Sequence, residues 1–188
     1  MLKNFYKYTI LTQRWKAGLD KWGQDNSGSA AVEFALIAAP FLFLLTGLLE
    51  VSLIFIVTTT LEHGINEASR DIRTGSLQNN GLIINRAQFV QSVCSQLFGL
   101  LDCADNLDVD VRAFNAFTGA NLSNGIDDDG NYSNLDFQFQ PGQRNDIVLA
   151  RVYYEWDLIT PGFSAPLQNL QNGNRLITAA VAFRNEPF

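Results

Sequence analysis

Lysine is absent after Lys21, and histidine occurs once in 188 residues, at His63. One histidine with no marked nucleophile beside it cannot form a Ser-His-Asp arrangement, so His63 is expected in a solvated or capping place. Cysteine occurs twice, at Cys94 and Cys103. Two cysteines without neighbouring histidines fall short of a zinc-binding set. There is no glycine-rich phosphate loop and no internal repeat. The part of the chain after Lys21 is acidic and lacks lysine, which argues against nucleic-acid partners. These absences leave no catalytic residue and no cofactor to assign. They point towards a structural or interaction role.

Charge and hydropathy are both unevenly distributed. Residues 1–28 carry Lys3, Lys7, Arg14, Lys16 and Lys21 against Asp20 and Asp25, a net +3. The whole chain is −6, so residues 29–188 carry −9. From Phe34 to Val57 nearly every residue is apolar; the exceptions are Thr46, Glu50 and Ser52. At about 1.5 Å per residue this run spans roughly 36 Å, enough for a bilayer core of about 30 Å. The basic flank predicts a cytoplasmic N-terminus and an exported acidic part, which in a bacterium means the periplasm. A cleaved signal peptide fits less well, because its apolar core is shorter and its small residues follow the core. Here Gly28, Ser29, Ala30 and Ala31 precede it.

The chain divides into a basic leader over residues 1–28, a spanning and emergent helix over 29–75, and an exported domain over 76–188. Phe5, Tyr6, Ile10, Leu11 and Trp15 give the leader an apolar side suited to the inner membrane surface. Beyond the apolar run, Leu61, Ile65, Ala68 and Ile72 recur at helical spacing, and Gly75 offers a stop. A second helix is expected from Ala87, Val90, Cys94, Leu97, Phe98 and Leu101, ending near Leu101. Three strands follow from period-two alternation. One face of each is formed by Leu107, Val109, Val111 and Ala113; by Val148, Ala150, Val152, Tyr154 and Trp156; and by Ile177, Ala179, Val181 and Phe183. Asp108, Asp110 and Arg112 point the other way, and residues 135–139 offer a further short strand. The fold class is α+β: a long N-terminal transmembrane and amphipathic helix packed on a small antiparallel sheet. Tyr153, Tyr154 and Trp156 read as sheet and core residues rather than a ligand platform. In an oxidising compartment Cys94 and Cys103 are expected to pair, the alternative being two buried thiols.

Two acids stand out in apolar surroundings. Glu33 opens the run, followed by Phe34. It is either an interfacial carboxylate close to water or, if the chain is cut after Gly28, a partner one helical turn from the new ammonium group of Ser29. Small residues around that bond let an extended backbone enter a protease groove. Glu50 lies deeper. It either contacts another membrane helix or platform, or sits at the periplasmic interface. Pro40 and Gly47 suggest a bend. Asp127, Asp129 and Asn131, with Asp128, form an oxygen-rich loop that could attract calcium. An EF-hand would need glycine at Tyr132 and glutamate at Gln138, and a solvated acidic turn is the competing reading.

The stretch GSAAVEFALIAAPFLFLLTGLLEVSLIFIVTTTLEHGINEASRDIRTG, residues 28–75, resembles the TadE-like family of minor pilins, or pseudopilins, of the tight-adherence (Flp) pilus. The resemblance rests on the Gly28 to Glu33-Phe34 block, Pro40, Gly47-Leu48-Leu49-Glu50 and the helix end at Ala68–Arg73. The terminal AFRNEPF is similar to endings in that family. The resemblance implies cleavage between Gly28 and Ser29 by a prepilin peptidase. Partners would be other major and minor pilins, the inner-membrane assembly platform and the lipid bilayer. It implies an assembly role for Glu33, Phe34 and Glu50. Ser29 replaces the phenylalanine common in type IV pilins, which leaves N-methylation open. Two rival readings are a minor pseudopilin of a type II secretion system and a signal-anchored periplasmic binding or enzymatic domain.

Overall fold

The computed structural model describes residues 28–75, 84–99, 101–115, 124–160 and 162–187. The chain divides into two compact units, Met1–Leu45 and Thr46–Phe188. In the first, the described residues from Gly28 onward are almost wholly exposed, including Val32, Phe34, Leu36, Ile37, Phe41 and Leu42. The leader residues Phe5 to Trp15 lie outside the described residues.

Helix α1 runs Ser29–Thr74, 46 residues, with Pro40 inside it. It is the one described helix long and apolar enough to cross a membrane. Its end is set by Gly75, at φ +62°, whose N–H donates to the Ile72 carbonyl. A left-handed residue at this position closes a helix, and glycine adopts it without a Cβ penalty. From Thr46 onward the helix is two-faced. Ile54, Val57, Leu61, Ile65, Ala68 and Ile72 are buried, while Leu48, Leu49, Val51, Phe55 and Ile56 are exposed. All four positions expected to pack, from Leu61 to Ile72, do so.

The sheet has order β1-β2-β3, formed by β1 (Leu107–Phe114), β2 (Ile147–Trp156) and β3 (Arg175–Arg184), all antiparallel. Val109, Val152 and Ala179 stand side by side across it. The expected apolar faces of all three strands join the buried face of α1 in one core. Each large aliphatic side chain buried there contributes about 1.5–3 kcal/mol.

Helix α2 is shorter than the sequence suggests, Arg86–Ser95, opened by a capping box between Asn85 and Gln88. Phe89, Val93 and Leu97 carry its burial, with Val90 and Cys94 at the margin. Phe98 is 79% exposed and takes φ +53°. The helix does not continue past Ser95: the chain turns there, so that Leu97 still reaches the core while Phe98 is exposed. A one-turn helix α3, Cys103–Asn106, leads into β1. Cys94 and Cys103 are joined by a disulfide, with Cα atoms 5.8 Å apart. It ties the last turn of α2 to the start of α3.

The polar face of β1 is largely covered, with Asp108 and Arg112 left half-buried. Asp110 is 1% exposed and accepts from Arg151 Nη2 at 2.5 Å, Arg112 Nε at 2.9 Å and the Gln138 N–H at 2.8 Å. Asp108 accepts from Tyr132, Asn134 and Arg86. Tyr153, Leu170 and Leu176 form a second small core here with Ile126, Tyr132 and Phe137, and Phe137 stacks on Tyr153 at 4.6 Å. Residues 135–139 do not add a strand. They contribute a turn and a single bridge, Val111 to Phe139. The Val111 N–H and C=O are both used by that segment, through Gln138 and Gln140.

Candidate functional site

Gly28 and Ser29 lie exposed at the start of α1, and nothing lies within 4 Å of where a Cβ on Gly28 would stand. Ser29 Oγ donates to Glu33 Oε1 at 3.3 Å. That contact shows the reach between the first and fifth residues after Gly28: one turn of helix brings the two onto the same side. Phe34, next to Glu33, is 74% exposed.

Glu50 is placed quite differently. It is 2% exposed, and its partners are in its own chain, more than a hundred positions away. Oε1 accepts from the Ile159 N–H at 2.5 Å. Oε2 accepts from the Thr160 N–H at 3.1 Å and from Ser164 Oγ at 3.3 Å. The Ser164 N–H and Oγ both also bond the Thr160 carbonyl, so the loop folds into a compact turn around the carboxylate. One helical turn earlier, Gly47 faces the Phe163 ring. A Cβ there would stand 2.7 Å from three ring carbons, so glycine is what lets the loop lie against the helix. Gly47 and Glu50 thus act together: one admits the loop and the other ties it down. Neither sequence reading of Glu50 included a partner in the same chain. The available signal was a buried acid's need for N–H donors, with the Thr160 to Ser164 loop rich in small residues.

The acidic loop is built locally. Asp127 Oδ1 accepts from the Asp129 and Asn131 N–H groups at 3.0 and 2.7 Å, and Asp128 and Asp129 are exposed. No group of three or more metal-ligating side chains occurs among the described residues. Beside the disulfide, an open groove of about 620 Å³ is lined by Arg86, Ala87, Val90, Gln91 and Leu107. His63 is exposed on α1.

Two groups in the domain show what the buried network does electrostatically. Burial pushes the Asp110 carboxyl up, but the Gln138 N–H and the Arg151 and Arg112 guanidiniums outweigh it and hold it below the ordinary range. Burial pushes the Tyr132 phenol up, and its hydrogen bond to Asp108 adds to the shift. Both groups are locked in one protonation state near neutrality.

Gly28 directly precedes α1, and Ser29, Glu33 and the Gly47 and Glu50 pair all fall in that helix. Residues 28–70 match the family model for TadE-like protein. The matched segment begins at Gly28 and ends within α1, and it contains Glu33, Pro40, Gly47 and Glu50. No curated protein and no solved structure matches the chain. The second segment noted in the sequence, AFRNEPF, is tied to the end of α1. The Glu186 N–H donates to the Arg73 carbonyl at 2.8 Å, and the two side chains pair at 3.3 Å. The pair is exposed and worth at most about 1 kcal/mol. The backbone bond gives the connection its direction.

Proposed function

We propose that this chain is a minor pilin, or pseudopilin, of a tight-adherence pilus, made as a prepilin and cut after Gly28. It is anchored by α1 with its N-terminus in the cytoplasm and its α+β domain in the periplasm. It acts in assembly, by priming the filament or capping its tip, and through the filament in adhesion. The single observation that carries this is the TadE-like match starting at Gly28, on a helix of membrane-spanning length.

The chemistry supports the reading. Cutting after Gly28 releases an ammonium group at Ser29, one turn from Glu33. Ser29 already reaches that carboxylate through its hydroxyl. On an otherwise apolar helix surface, an ammonium and carboxylate pair fixes axial register between neighbours, because sliding by one turn leaves both charges unpaired in low dielectric. The prepilin peptidase, other pilins and the assembly platform are the partners this role requires.

The test is processing. Full-length chain is expressed in membranes with and without a prepilin peptidase, and intact mass is measured. Loss of residues 1–28 only with the peptidase is expected, with Ser29 as the new terminus. Retention of the leader under both conditions would refute the prepilin reading. Glu33→Gln should be processed normally yet fail to restore surface pili in a null strain. Normal piliation at native expression would remove the register role from Glu33.

A further inference from the structure

The loop stitched to Glu50 has one exposed large apolar side chain, Ile159, at 66%. Outside α1, the described residues expose only three such side chains, Phe98, Leu135 and Ile159. Of these, only Ile159 belongs to a segment bonded to the apolar part of the helix. The depth of that segment follows from arithmetic on the sequence. Glu33 bounds the apolar run on its leader side. Phe34 to Thr46 is 13 residues, or roughly 20 Å of helix, too short for a core of about 30 Å. A crossing therefore needs the next turns, from Gly47 through about Leu53. Those are the turns on which the loop is seated, and their other face presents Leu48, Leu49 and Val51 outward.

Irregular backbone is tolerated at such depth only where its polar groups are satisfied by protein. Here the Ile159 and Thr160 N–H groups end on Glu50, and the Thr160 carbonyl accepts from Ser164. Phe163 lies on Gly47, and Leu158 packs on the core. At the loop's start, Asp157 is exposed and bonded by Asn174 at 2.7 Å, which sets the water boundary there.

We propose that the loop carrying Ile159 is a membrane-seated foot: Ile159 enters the outer edge of the bilayer beside α1, and Glu50 neutralises the loop's backbone so that it can do so. The occupant is lipid, because the loop is seated on turns of the helix that a bilayer crossing needs. The proposal rests on the anchoring part of the function above and not on the pilus assignment.

The experiment uses the full chain, native disulfide intact, reconstituted into phosphatidylethanolamine and phosphatidylglycerol vesicles. One added cysteine bears an environment-sensitive fluorophore, at Ile159→Cys, Leu44→Cys or Leu135→Cys. Quenching is read with a headgroup-proximal lipid nitroxide and with aqueous iodide. The expected result is lipid quenching at 44 and 159, with position 159 losing most of the iodide quenching seen at 135. If 44 is quenched by lipid while 159 matches 135 in iodide, the foot is overturned and the anchor stands. If 44 shows no lipid quenching, the anchor fails and the foot with it. Shielding of 159 from both quenchers, relieved on diluting protein in lipid, would assign the patch to a second copy and overturn the proposal.

Discussion

Glu50→Gln is nearly isosteric, so it removes charge and one acceptor without opening a cavity. In the wild type, Oε1 serves Ile159 and Oε2 serves Thr160 and Ser164. Whichever way the amide is turned, one backbone N–H of the loop faces an NH2 group. An unsatisfied buried N–H costs about 1–3 kcal/mol, and the bond that remains loses its charge assistance, about 1 kcal/mol more. The loop should therefore open more easily by about 2–4 kcal/mol, or roughly 30- to 700-fold in population. Amide exchange at Ile159 and Thr160, measured on detergent-solubilised protein, should accelerate by that factor, while core amides such as Val109 and Val152 stay unchanged. Ser164→Ala should give a smaller acceleration, since it removes only one donor. Unchanged exchange at both amides in Glu50→Gln would refute the clasp. It would return Glu50 to the role of a contact between subunits, which an isolated chain would not register.

Reduction of Cys94–Cys103, or a Cys94→Ser Cys103→Ser variant, should destabilise the domain by about 2.7 kcal/mol from loop entropy, read as a thermal midpoint lower by about 10 °C. An unchanged midpoint would show that the short loop is already ordered without the bond. Stability should also fall in acid. The Asp110 carboxyl ionises at lower pH folded than unfolded, so its contribution is present above the ordinary aspartate range, about pH 4, and is lost as pH falls through the lowered value. Denaturant melts from pH 7 to pH 3 should show that loss, reduced in Asp110→Asn; an identical acid slope in the variant would assign it to other carboxylates.

Much of the fold was legible because periodicity and burial coincide. Leu61, Ile65, Ala68 and Ile72 alternate with polar residues at helical spacing, and the three strands alternate cleanly. The polar face of β1 was not legible. Asp108, Asp110 and Arg112 carry a solvent-like pattern whether they meet water or a second polar layer, and the segment that covers them pairs through single bonds rather than a ladder. The end of α2 was missed because Leu97 continues the helical spacing in sequence after the helix has stopped. At the candidate site, the disulfide could be read from the pairing of two cysteines in an exported segment. The loop that binds Glu50 could not, since its partners lie 109 to 114 positions away and carry no periodicity.

The two acids in the apolar part of α1, Glu33 and Glu50, differ in what remains free on each carboxylate. A carboxylate offers about four acceptor sites. Three at Glu50 are filled by donors of a loop that must itself be satisfied, and the group is shut off from solvent. A neighbouring helix could engage Glu50 only by displacing that loop, which would leave two backbone N–H groups unpaired at membrane depth. Glu33 is exposed, and the one contact described for it comes from the hydroxyl of Ser29, the residue that would gain an ammonium group on cleavage. Only Glu33 therefore has acceptor capacity to offer a second chain without dismantling its own. The division of labour follows from donor supply rather than from position in the apolar run. Under the proposed function Glu33 is the acid left free for assembly, while Glu50 ties Ile159, Thr160 and Ser164 to the helix.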